Sequence, residues 1–170
     1  MEEIVTPEEE GIPDSGPRNP GERFRQRVTM RVPDRHNPRL RQALEWVNEN
    51  DDLYGLWVAS NVTAIERLGM TDHGPVHVKI VMNLAVRLLR LLTEAGVEPS
   101  VTTHYDLPVE DAEVVVALAA LFHDLGMSIH RKDHESYSLF LAKGLLEELL
   151  PQLWEDAPTR ALHRSEIIHS

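Results

Sequence analysis

The 170-residue chain contains no cysteine. Disulfides and thiolate-held metals are therefore excluded, and any bound ion must be held by nitrogen and oxygen. Aromatic residues make up only 5% of the chain, so aliphatic side chains and alanine must supply most of the core. Nothing in "MEEIVTPEEE" has the basic and apolar regions of a signal peptide, and no uninterrupted apolar run approaches the length of a membrane span. The expected location is the cytoplasm, with no membrane partner. Asn61-Val62-Thr63 matches a glycosylation acceptor, but without a secretion signal it reads as ordinary helix sequence. Positive charge is also scarce. With 17 Lys and Arg against 28 Asp and Glu, the formal net charge is −11, a field that repels polyphosphate and argues against general nucleic-acid binding.

Residues 1–37 hold five of the eleven prolines, an acidic start and no helical periodicity. Such a segment cannot offset its own ordering entropy and reads as a poorly ordered N-terminal arm. Within it "RFRQRVTMRV" alternates, with Val28, Met30 and Val32 on one side, which permits a short strand that would need another chain or the domain surface to pair with. Eight of the seventeen basic residues lie between Arg18 and Arg41. They could grip an RNA, but the preferred reading is that they pair with the chain's own excess acid, within a copy or across a homo-oligomer.

From Pro38 to Ser170 the period is helical, and the expected fold is all-α, a bundle of about six helices. Residues 38–49 and 52–68 form the first two, the second ended by Gly69. A third starts near "TDHGPVH", capped by Thr71 or Asp72 with Pro75 in its first turn, and runs to Gly96 with His77, Val81, Leu84, Leu88 and Leu91 on its inner face. Residues 97–107 read as a polar loop. The fourth helix contains nine consecutive apolar residues, Val114–Phe122, the mark of a central helix, with Gly126 placed to terminate it. A fifth, about 134–150, stops at Pro151, and a sixth starts after Pro158. That last helix is still periodic at Ser170, which predicts a domain cut short at its C-terminal end.

The central helix ends in His123 and Asp124. A cation is favoured at a helix C-terminus, and a carboxylate beside so apolar a segment needs a positive partner. A metal ion would satisfy Asp124 directly. His77 heads the stripe expected to face the core, whereas His73 lies just before that helix. His130, His134, His163 and His169 follow downstream.

"HGPVHVKIV" and "ALAALFHDLGM" together resemble the HD-domain metal-dependent phosphohydrolases, over about residues 50–170. The resemblance implies that His77, His123 and Asp124 bind a first divalent ion, and that in dinuclear members Asp124 bridges to a second held by His134 and by His169 of the last helix, with His163 the lesser alternative. It implies Mn, Fe, Co, Ni or Mg as the metal, a small phosphorylated substrate such as a nucleotide, and hydrolysis of its phosphate ester, with His123 and Asp124 at the reacting centre. The closing aspartate of that family has no match before Ser170, and Met127 stands where many members carry a lysine. Arg131 or Lys132 could supply the missing positive charge toward a phosphate, and His130 could touch substrate or be a solvated loop residue. The alternative is a non-catalytic module of the same fold that binds a metal or ligand and regulates.

Overall fold

A computed structural model describes residues 27–34 and 36–169. Among them are seven α-helices, one π-helical segment, one 3-10 turn and no strand, so the chain is an all-α bundle. Asn37 caps α1 (Pro38–Glu49) by accepting from the Leu40 amide at 3.0 Å, and Leu40, Ala43, Leu44 and Val47 form its buried stripe. Asn50 caps α2 (Asp51–Asn61) in the same way through the Leu53 amide, and Asp51 and Asp52 sit where the helix dipole favours negative charge. The expected single helix over 52–68 changes winding after Asn61 into a π-helical segment, Val62–Arg67.

Next come α3 (Pro75–Glu94), the short α4 (Ser100–Tyr105) and α5 (Val109–Phe122). Here α4 is a turn of helix inside the segment expected to be loop. As its pattern requires, α5 is the central element, packed against α1, α3, α4, α6 and α7. Truncating its fully buried Leu118 to alanine should cost about 2–5 kcal/mol. The 3-10 turn Leu125–Ser128 then leads to α6 (His134–Leu153) and α7 (Ala157–His169). Pro151 does not stop α6, which runs on to Leu153; in the last turn a proline forfeits a single backbone bond.

Two expectations about α3 are corrected. Its N-cap is Gly74, with Asp72 Oδ1 accepting from the Gly74 amide at 2.9 Å. Its buried face is Val78, Met82 and Val86, while Leu84, Leu88 and Leu91 are exposed. Both stripes are apolar at helical spacing, and spacing alone cannot choose between them.

The segment before α1 carries no strand. Residues 27–34 are nevertheless laid on the bundle: Met30 is buried, and the Asn48 side chain accepts from its amide at 2.7 Å and donates to its carbonyl at 2.9 Å. One asparagine thus does the work of a neighbouring strand, and the domain surface provides the pairing the alternating pattern needed. Three basic residues of this stretch pair with acid of the same chain, Arg27 with Asp51, Arg39 with Asp111 and Arg41 with Asp34. The rest of the expected arm, residues 1–26, lies outside the described residues.

Candidate metal centre

α3 and α5 run antiparallel, so the start of one meets the end of the other. His77, in the first turn of α3, comes to His123 and Asp124 just past α5. His123 Nε2 lies 2.9 Å from Asp124 Oδ2, His77 Nε2 lies 3.3 Å from the same oxygen, and the two imidazole nitrogens are 3.4 Å apart. Donors bound at about 2.1 Å to one ion sit roughly 3 Å or a little more from each other. The three atoms therefore fit a shared cation.

The surroundings orient each donor. His123 Nδ1 lies 2.8 Å from the Ala120 carbonyl, which can only accept, so that nitrogen carries a proton and Nε2 is directed into the cluster. The His134 Nδ1–H likewise donates to the Arg131 carbonyl at 2.9 Å, leaving Nε2 3.4 Å from Asp124 Oδ1, the carboxylate oxygen that the other two histidines leave unused. The turn carrying Asp124 is pinned from α2: the Trp57 indole donates to the Leu121 carbonyl at 2.9 Å and the Ser60 hydroxyl to the Asp124 carbonyl at 3.3 Å. These bonds satisfy carbonyls that the end of α5 leaves orphaned.

Gly126 is needed for a different reason than termination. A Cβ there would lie 2.0 Å from the His134 carbonyl oxygen, so glycine is what lets α6 approach. The Ser138 hydroxyl also accepts from the Gly126 amide at 2.8 Å, fixing the start of α6 against the turn.

The electrostatics suit a cation. Burial disfavours the Asp124 carboxylate, but the hydrogen bond and charge of His123, with His73 and His77 nearby, more than reverse this and hold its pKa below the ordinary 3.8. Burial also pushes the His123 imidazole down, while Asp124 and the Ala120 carbonyl push it further up, to a net value above 6.5. The Asp124 side chain is only 9% exposed, whereas those of His77 and His123 are 31% and 38% exposed. The cluster is closed on its carboxylate side and open on its imidazole side.

The other expected site residues divide. His134 joins the group through Asp124. His169 does not: it is exposed on the last turn of α7, in a shallow depression with Ala161, Arg164 and Ser165. The apolar pair before it, Ile167 and Ile168, packs inward and turns it away. His163 is fully buried elsewhere, 3.0 Å from Asp111 Oδ2 and stacked on Trp154 at 3.8 Å between ring centroids. His130 is exposed and accepts from the Lys132 amide at 3.0 Å, the behaviour of a loop residue, and Arg131 and Lys132 are exposed beside it.

Two residues join the site without having been singled out. The His73 ring stacks on His77 at 5.3 Å and 27°, its Nδ1–H donating to the Thr71 carbonyl at 2.7 Å. Asn61, at the start of the π-helical segment, accepts from the His73 amide at 3.2 Å, and its side chain lies so close to Gly74 that a Cβ there would meet it at 2.8 Å. The four-residue spacing of "HGPVH" hinted at His73; nothing in the sequence pattern pointed to Asn61.

Fold and site together define an all-α protein with two imidazoles and a carboxylate grouped so that they could hold a metal ion. No helix among the described residues is long and apolar enough to cross a membrane. Over 111 residues the chain is 36% identical to a protein of Methanocaldococcus jannaschii named only as uncharacterized protein MJ1020, a match covering 65% of this chain and 42% of that one. The chain thus spans less than half the length of the relative it matches. No protein-family profile and no solved structure matches.

Proposed function

We propose that the chain is the metal-holding part of a phosphohydrolase, binding a divalent ion through His77, His123 and Asp124 and cleaving a phosphate ester of a nucleotide or another small phosphorylated compound. The observation that carries this reading is the convergence of three oriented donors, 2.9 to 3.4 Å apart, at an opening reached from solvent. It agrees with the resemblance to the HD-domain phosphohydrolases. When bound, the ion would supply Lewis acidity, polarising the phosphoryl group and making water a usable nucleophile near neutral pH. The chain's own contribution is to hold Asp124 ionised, to present Nε2 of His77 and His123, and to leave the imidazole side open to a phosphate.

Nitrogen-rich ligation favours Mn, Fe, Co or Ni over Mg. His134, facing the second oxygen of Asp124, makes a second ion on that side part of the proposal. His169 is not retained as its ligand. Arg131, Lys132 and His130, on the exposed loop between the 3-10 turn and α6, remain the proposed contacts to substrate phosphate.

One observation favours the non-catalytic module. Met127 is fully buried, so the position at which the resemblance would put a phosphate-reaching lysine faces the core. Metal analysis of the purified protein, followed by turnover of p-nitrophenyl phosphate and bis-p-nitrophenyl phosphate with added Mn²⁺, separates the readings. Metal-dependent turnover that Asp124→Asn abolishes supports the hydrolase. Bound metal with no turnover of either ester supports the module, and failure to bind any divalent ion sinks both.

A further inference from the structure

The outer face of α3 is unusually apolar for a surface. Ile80, Leu84, Leu88 and Leu91 form a ridge along it, and Leu84 is 62% exposed. Directly beside the ridge runs a groove of about 560 Å³. Its floor is the one face of α5 not sealed by a helix, Val116, Ala119 and Ala120; Val81 and Ala85 of α3 form one wall. The other wall is Leu139 of α6 with Ile168 of α7, and beyond it Phe140 is 74% exposed.

A ridge lying beside a groove of the same character is what a two-fold axis can use, because each copy offers both halves of the contact and the ridge of one enters the groove of the other. Antiparallel α3 helices would cross near Leu84 and Leu88, the middle of the ridge. The exposed parts of these leucines and isoleucine, with Leu92, Leu139 and Phe140, amount to on the order of 700 Å² of apolar surface, near the ~800 Å² per partner of a standard stable interface and above the ~300–600 Å² of the largest patch on an ordinary monomer. We infer that this face is an isologous interface, occupied by a second copy of the same chain. His123 lies at the edge of the groove, so the partner's ridge would form a wall beside the metal centre. The inference does not depend on the proposed hydrolase activity.

Sedimentation velocity of the 170-residue chain at roughly 1 to 100 µM reads the assembly directly. A dimer is expected, tightened by added salt because two copies of net charge −11 repel one another. Leu84→Glu combined with Leu88→Glu should give a monomer with an unchanged far-UV circular dichroism spectrum. Because the chain lacks cysteine, Leu84→Cys can be joined to its counterpart by a short bismaleimide, whereas Gln152→Cys, on the side facing α1, should not be. A monomer throughout the concentration range overturns the inference. So does a dimer that the double glutamate variant leaves intact, or one crosslinked through position 152 and not 84.

Discussion

His123 and Asp124 are sequence neighbours whose side chains, despite leaving the backbone about 100° apart in a helix, meet at 2.9 Å. The meeting is possible because α5 ends at Phe122, and Asp124, with φ of −108° and ψ of 10°, has already left helical geometry. Without a metal, a proton bridges the pair, which raises the imidazole pKa and lowers that of the carboxylate. Metal uptake must displace that proton. Affinity should therefore be full above the raised His123 pKa and fall as pH drops through it, with proton release at pH values between 6.5 and that point. Calorimetric titration of Co²⁺ in buffers of differing ionisation enthalpy measures the protons released; a binding curve insensitive to pH from about 5 to 8 would contradict the assignment of His123 as a ligand.

Asp124→Asn keeps shape and removes charge. Binding of Co²⁺ should weaken by more than the ~10–100-fold typical of losing only an orienting partner, since a donor itself is lost. Isothermal titration checks this, and affinity within tenfold of the parent would place the ion elsewhere.

Asn61 touches none of the three donors, yet it holds the His73 amide and wedges against Gly74. Asn61→Ala should loosen the start of α3 and lower Co²⁺ affinity about 10-fold, in the range for orienting partners. Asn61→Asp keeps the accepting oxygen and should restore most of it. The visible spectrum of the Co²⁺ form separates positioning from general destabilisation, because only a change at His77 would shift the ligand-field bands.

Gly126→Ala would force a methyl group into the backbone of α6. The expected cost is about 1–3 kcal/mol or more, seen as a lower midpoint in urea. His134, whose own carbonyl is the atom struck, should be displaced from Asp124. A variant as stable as the parent would show that α6 does not seat where described.

Away from the centre, Asp111 is buried between His163, Trp154 and Arg39. Glu113 is held by Arg90, His36 and Asn37. Burial alone would raise both carboxylates, but these partners lower each below its ordinary value, 3.8 for Asp111 and 4.5 for Glu113. A depressed carboxylate contributes its full stabilisation above the unfolded value and loses it as pH falls through the folded one. Thermal midpoints should accordingly hold steady above pH 4.5 on this account and drop below about 4. Asp111→Ala, breaking a buried pair, should cost about 3–5 kcal/mol at neutral pH and flatten the acid limb.

What could be read from the chain is instructive in its pattern. The all-α architecture and the central α5 followed from periodicity and from nine consecutive apolar residues, because burial on every side leaves no polar face to misplace. His77, His123, Asp124 and His134 were legible as a group through their position relative to helix ends. The phase of α3 was not: with apolar residues on nearly the whole circumference, the stripe that reaches α5 is decided by the partner helix. His169 was misread because its placement depends on which way the last turn of α7 faces. Asn61 and Asn48 were invisible, since a single amide bonding across the fold leaves no period behind.

The π-helical winding of Val62–Arg67 has a consequence for the lineage of this chain. Such a stretch accommodates one residue more than ordinary helix would, so removing a single residue there would let regular winding return and rotate everything beyond it by about 100°. The peptide bearing His73 would then swing away from the pocket it now borders. Length in that stretch, more than the identity of its side chains, calibrates the doorway to the metal, and relatives with an altered count there should have rebuilt that doorway by other means.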